Sequence, residues 1–224
     1  MTVSAVILAA GRGDRMQMNA NKILLPILGQ ALICHTVQAF ARTPELDDLV
    51  LVVHRDEMEK VRRLVRPITD RCCFVEGGET RRDSSLAGVL AAKGDIVLIH
   101  DGARPFPSRA LIHRVLIATQ QEDAVVPVLP ITDLLHRVDE VTSLIEGTAS
   151  LSEHPLAQAQ TPQGFRRELI LRCLEAASQE IRDDATAILL AGESVATVPG
   201  ESLNMKITRP EDLALAEAIA ISRG

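Results

Sequence analysis

Val3-Ser4-Ala5-Val6-Ile7-Leu8 runs directly into Ala9-Ala10-Gly11-Arg12-Gly13-Asp14-Arg15-Met16. The first segment carries no charge and is rich in β-branched and aliphatic side chains. It reads as a strand buried on both faces, as in a parallel sheet. The small residues and glycines after it let the backbone approach a ligand, and successive N–H groups there can form an anion-binding concavity. A dinucleotide fingerprint needs a third glycine where Met16 stands, and a P-loop ends in Gly-Lys-Ser/Thr; neither pattern is met. Arg12, Arg15 and Lys22 place cations close to the loop. Taken alone, the segment fits a phosphate loop and an ordinary strand–loop with solvated charges equally well.

Outward from this strand the chain alternates short apolar runs with amphipathic ones. Strands are expected at 49–53, 73–75, 96–99, 124–128 and 194–198. Helices are expected at 56–65, from Asp83 or Ser84 to Ala92, from a Ser108 cap to Thr119, and at 166–177 and 183–191. Thr208-Arg209-Pro210-Glu211 reads as a capping box opening the last helix, with Pro210 in its first turn. The rhythm predicts one α/β domain over residues 1–224, a Rossmann-like, mostly parallel sheet flanked by helices. Pro127 predicts that its strand lies at an edge or bend. Cys72-Cys73 is expected in a buried strand of a protein from a reducing cytosol. Residues 129–160 lose the βα rhythm and are expected to form an extended β-arm.

Lys and Arg number 24 against 30 Asp and Glu, a formal net charge of −6, which argues against a nucleic-acid partner. There is no Trp or Tyr and only four Phe, too little for a base-stacking platform. Four scattered cysteines make neither a disulfide framework nor a zinc site. The N-terminus lacks the pattern of a signal peptide. The uncharged stretch from Ile23 to Ala41 is broken by Pro26, Gly29, Gln30, His35 and Gln38, so no membrane span is expected. A cytoplasmic protein is predicted.

His100-Asp101-Gly102-Ala103-Arg104-Pro105 closes a central strand, where open α/β sheets bind ligands. A carboxylate there suits Mg²⁺, a hard ion that shares its oxygen ligands with phosphates. Arg104 would serve a phosphorylated substrate. The plainer alternative is a helix-capping Asp and a surface-paired Arg. His100 reads as structural. Gly77-Gly78-Glu79-Thr80-Arg81-Arg82-Asp83-Ser84 reads as a turn into a capped helix, while Thr161-Pro162-Gln163 and Met205-Lys206-Ile207-Thr208 are silent in isolation.

In this order, the segments 9–16, 77–84, 100–105, 161–163 and 206–213 resemble the 2-C-methyl-D-erythritol 4-phosphate cytidylyltransferase family over nearly the whole chain. The resemblance implies the nucleotidyltransferase fold and transfer of CMP from CTP to a polyol phosphate. It implies catalytic roles for Arg15, Lys22 and Lys206, and nucleotide binding by Ala9, Ala10, Gly11, Gly13, Gly78, Glu79 and Ser84. It further implies substrate binding by Asp101, Arg104, Asp133 and Thr161, Mg²⁺ at Asp101, and a homodimer joined through the arm. The chain departs from the family pattern in the context of Lys22 and in the arm, where Leu134 and Glu153 replace a Thr and an Arg. Another acceptor such as ribitol 5-phosphate, or a non-catalytic nucleotide-binding regulator, is the alternative.

Overall fold

The computed structural model describes residues 1–11, 21–139, 142–148, 155–177 and 181–223; the expectations for Arg12, Gly13, Arg15, Met16 and Glu153 lie outside them. In chain order the elements are β1 (Val3–Ala9), β2 (Pro26–Ile27), β3 (Gln30–Ala31), α1 (Leu32–Ala41), β4 (Asp48–Val53), α2 (Met58–Val65), β5 (Cys72–Glu76) and α3 (Arg81–Ala91). Next come β6 (Ile96–Asp101), α4 (Arg109–Gln121), β7 (Ala124–Pro130), β8 (His136–Val138), β9 (Ile145–Thr148), β10 (Ala157–Ala159) and β11 (Gln163–Arg166). The chain closes with α5 (Arg167–Ala176), α6 (Asp184–Leu190), β12 (Ala196–Pro199) and α7 (Asp212–Arg223).

β5, β4, β1 and β6 lie side by side and parallel, and β11 joins β6 antiparallel. Alternation along β1 feeds two cores. Val3, Ala5, Ile7 and Ala9 pack with Ile33, Phe40 and Leu111, while Val6 packs with Val89, Ile170 and Ile188 on the opposite face. Each fully buried Val, Leu, Ile or Phe among them contributes about 1.5–3 kcal/mol. Register aligns the strand ends that build the site: Ala9 pairs with Val53, Val53 with Glu76, and Leu8 with Asp101. No described helix is long and apolar enough to cross a membrane.

Several sequence expectations are corrected. Pro127 does not mark an edge, because β12 pairs with one side of β7 while β10 and β11 pair with the other. Its carbonyl accepts from Gln160 N at 2.8 Å, at the break between β10 and β11, so the missing N–H costs no ladder bond. Cys72 and Cys73 sit on the outermost strand, β5; Cys72 is half-buried and Cys73 exposed. The residue capping the last helix's approach is Asp212 rather than Glu211. Its carboxylate accepts from Thr208 N at 2.7 Å and Arg209 N at 2.8 Å, and Pro210 lies in the preceding turn. α1 was missed because it carries no charge: Leu32, Ile33, Thr36, Val37 and Phe40 are buried at helical spacing, but only His35 and Gln38 mark a polar side. Within 129–160, β7 runs to Pro130 and β10 returns to pair with it, while β8 and β9 form a separate two-stranded hairpin.

Candidate active site

The strand ends of β1, β4 and β6 open into a cleft of about 910 Å³. Its floor is backbone. Ala9, Ala10 and Gly11 leave β1, and Gly77 and Gly78 leave β5. A Cβ on Gly77 would collide with the Ala10 Cβ and stand 3.0 Å from Ser84 Oγ, so the close approach of these two loops requires glycine. Glu79 and Ser84 complete this end.

α3 starts at Arg81, earlier than the sequence pattern predicts, because Thr80 forms a capping box. Asp83 N donates to Thr80 Oγ1 at 3.1 Å and Thr80 N to Asp83 Oδ2 at 3.3 Å. That start points Arg81 across the cleft. Its Nη1 lies 2.7 Å from Asp101 Oδ1 and its Nη2 2.7 Å from Asp184 Oδ2, a fully buried carboxylate.

Asp101 Oδ2 is 2.8 Å from Lys206 Nζ. Burial alone would raise the Asp101 pKa, but the charges and hydrogen bonds of Arg81 and Lys206 outweigh it and hold the carboxyl well below the usual carboxylate range. Lys206 is fixed from both sides of the chain. Ile207 N donates to Ala103 O at 2.9 Å, and Arg104 Nη1 donates to Asn204 O at 2.8 Å. Lys22 enters the cleft from a 3-10 turn whose cap, Asn21, accepts from Ile23 N at 3.2 Å and donates to Glu57 at 2.5 Å.

Arg104 and Thr161 do not line the cleft. Both are buried behind Asp101, and Thr161 precedes a cis Pro162. The Asp101 N–H donates to Thr161 Oγ1 at 3.1 Å, and Thr161 Oγ1 stands 3.0 Å from His100 Nδ1. His100 Nε2 is 3.0 Å from the Arg104 carbonyl, which only accepts, so Nε2 carries the proton and Nδ1 accepts from the Thr161 hydroxyl. Burial lowers the His100 pKa to about 4, keeping the ring neutral. Asp133 is exposed, on the approach to the β8–β9 hairpin, apart from the cleft.

The donor set does not fit a Mg²⁺ held directly by Asp101. Both oxygens are engaged by cations, which a metal would have to displace, and among the described residues no three His, Cys, Asp or Glu side chains gather to hold one. The sequence reading also missed four contributors to this region: Arg81, Asp184, Arg182 and the His54–Asp56 wall. The Thr80/Asp83 spacing was the available signal for the first. The others are set by strand order, which no local spacing reports.

A backbone-lined pocket facing a file of fixed cations at the strand ends of a parallel sheet defines the class: this is a nucleotidyltransferase. Similarity to known proteins narrows it. The chain belongs to the 2-C-methyl-D-erythritol 4-phosphate cytidylyltransferase family, whose model matches residues 3–222. It is 38% identical to the 2-C-methyl-D-erythritol 4-phosphate cytidylyltransferase of Geobacillus kaustophilus, over 100% of this chain and 99% of that protein. It is 34% identical to the bifunctional enzyme IspD/IspF of Bartonella bacilliformis, over 97% of this chain but only 56% of that protein, so it spans about half the length of such bifunctional relatives. The crystal structure of the Thermus thermophilus 2-C-methyl-D-erythritol 4-phosphate cytidylyltransferase superimposes with a TM-score of 0.80 at 34% identity, covering 99% of this chain and 100% of that one. The 4-diphosphocytidyl-2C-methyl-D-erythritol synthase structure from Anaerococcus prevotii gives a TM-score of 0.84 at 26% identity, covering 98% and 96%.

Proposed function

We propose that this enzyme transfers CMP from CTP to the phosphate of 2-C-methyl-D-erythritol 4-phosphate. A phosphate oxygen of the acceptor forms a bond to the α-phosphorus, the bond from that phosphorus to the bridging oxygen breaks, and pyrophosphate leaves. The nucleophile is already an anion near neutral pH, so no strong general base is required. The barrier is the approach of two anions while charge builds on the α-phosphate and the leaving group, and fixed cations lower it. The observation that carries the reading is the Lys206–Asp101–Arg81 array, facing a glycine-floored pocket at the end of β6.

In this reading the Ala9–Gly11 and Gly78–Glu79 backbones, with Ser84, take the cytosine. Lys22, with Gly13 and Arg15 by family resemblance, grips the triphosphate, and Lys206 serves the α-phosphate. Asp101 holds Lys206 and Arg81 in place, with Thr161 and Arg104 supporting it from behind and Asp133 on the acceptor approach. Mg²⁺ is proposed to take its oxygens from the nucleotide phosphates and water. The arm's exposed Leu134, Val138, Leu144 and Ile145 are proposed to pair with a second copy of the chain. The test is pyrophosphate release with CTP, Mg²⁺ and a panel of polyol phosphates. Turnover confined to 2-C-methyl-D-erythritol 4-phosphate is expected; turnover of ribitol 5-phosphate instead, or none at all, rejects the assignment.

A further inference from the structure

The two flanks of the cleft offer a ligand different things. On the β1–β4–β5 side the floor is glycine and backbone, at Ala10, Gly77 and Gly78, with His54, Asp56 and Glu76 as its wall, and that floor suits a flat base. On the β6–β11 side no glycine floor is present among the described residues, and Asp101, Arg182 and Lys206 line it. A second, phosphorylated substrate that must reach the α-phosphate therefore has the β6–β11 side to occupy.

Two guanidinium groups nearby, Arg81 in the cleft and Arg104 buried behind it, are already committed. Arg81 is held at 2.7 Å by Asp101 and at 2.7 Å by Asp184, and Arg104 donates from a buried position to Asn204 O. Arg182 is different: it lines the cleft, it is exposed, and its side chain makes no hydrogen bond or ion pair with any described residue.

The chain at Arg182 is nonetheless fixed by its two C-terminal neighbours. Asp183 caps α6, accepting from Thr186 N at 3.0 Å, and Gln163 Nε2 donates to it at 3.1 Å. Gln163 Oε1 accepts in turn from Ala185 N at 3.1 Å, and Asp184 is fully buried on Arg81. A long cation is thus set on a rigid mount, with its main chain tied through Asp184 and Arg81 to Asp101.

We propose that Arg182 is a substrate-binding residue that receives the phosphate monoester of the acceptor and so helps to set acceptor specificity. Its planar fork of donors matches a phosphate, and a guanidinium stays charged at any working pH. The inference rests on the cytidylyltransferase reading above.

Steady-state kinetics of the wild type, Arg182→Ala and Arg182→Lys, with each substrate varied and inorganic phosphate as probe, test it. The Ala variant is expected to raise the acceptor KM about tenfold to a hundredfold while the CTP KM stays within about twofold, and Lys to recover part of the loss. Inorganic phosphate should compete with the acceptor in the wild type and compete less well, by a similar factor, in the Ala variant. Because the side chain is exposed, both variants should keep the wild-type melting temperature. An unchanged acceptor KM and phosphate inhibition in Arg182→Ala, or a rise confined to CTP, overturns the inference. A wild type that turns over no acceptor overturns instead the functional reading beneath it.

Discussion

Lys206 Nζ stands 2.8 Å from Asp101 Oδ2, the ammonium partly exposed to the cleft and the carboxylate nearly buried. The two members of this pair have different neighbours, which separates their mutants. Lys206→Ala leaves Asp101 bonded to Arg81, so the fold should keep its stability while kcat falls about 10²–10³-fold, the usual cost of removing one preorganised charge. Asp101→Asn removes the anion from among Arg81, Arg104 and Lys206. It should cost about 3 kcal/mol in denaturant unfolding as well as activity. Equal stability losses in the two variants would contradict this division.

Lys22 reaches the cleft from the Asn21-capped turn, and in the proposed reaction its charge matters most as new negative charge develops. Lys22→Ala should lower kcat far more than it weakens CTP binding measured by calorimetry. A variant with wild-type kcat removes Lys22 from the chemistry.

Gly77 has no room for a side chain between the Ala10 Cβ and Ser84. Gly77→Ala must push the two loops apart and reshape the pocket floor. CTP affinity should drop about tenfold or more, at a stability loss of about 1–3 kcal/mol from overpacking. Titration with CTP that gives the wild-type Kd would show that the base binds elsewhere.

Two groups link stability to pH in the same direction. His100 has its pKa lowered by burial to about 4, against about 6.5 in the unfolded chain, so the native state binds its proton less readily. Its contribution is complete above pH 6.5 and is lost as pH falls towards 4, on the order of 3 kcal/mol in all. Asp101 is also held below its unfolded value, and its contribution is lost at still lower pH. Urea unfolding at pH 7 and pH 4.5 should show the His100 loss in the wild type and a flatter profile in His100→Asn. Parallel profiles for the two proteins would exclude His100 as the source.

Leu144 and Ile145 are among the most exposed large apolar side chains of the arm, at 66% and 62%. Leu144→Asp with Ile145→Asp should shift the protein from dimer to monomer in light scattering. A wild type that already runs as a monomer refutes the proposed pairing.

Much of the central sheet was legible locally. The uncharged run 3–8 reads as a doubly covered strand, and its apolar side chains do face both cores. The turn at Gly77-Gly78 and the Asp101 strand end were legible as well, but the close approach of Gly77 to Ala10 and Ser84 was not, because it joins two loops far apart in sequence. Asp101 nevertheless reads as a metal ligand until Arg81 and Lys206, 20 and 105 positions away, are seen on its two oxygens. In the same way Arg104 reads as a substrate cation until its burial behind Asp101 is known.

What the amino-acid order determined by itself is whatever depends on neighbours in the chain: strand and helix periods, capping residues, and a glycine loop beside cations. Strand order decided the rest. It brought Asp184 to Arg81, tied Lys206 to Asp101, and set Arg182 on the wall of the cleft. Charges far apart in sequence meet only where folded backbone carries them, and their interaction energy depends on the resulting separation and burial.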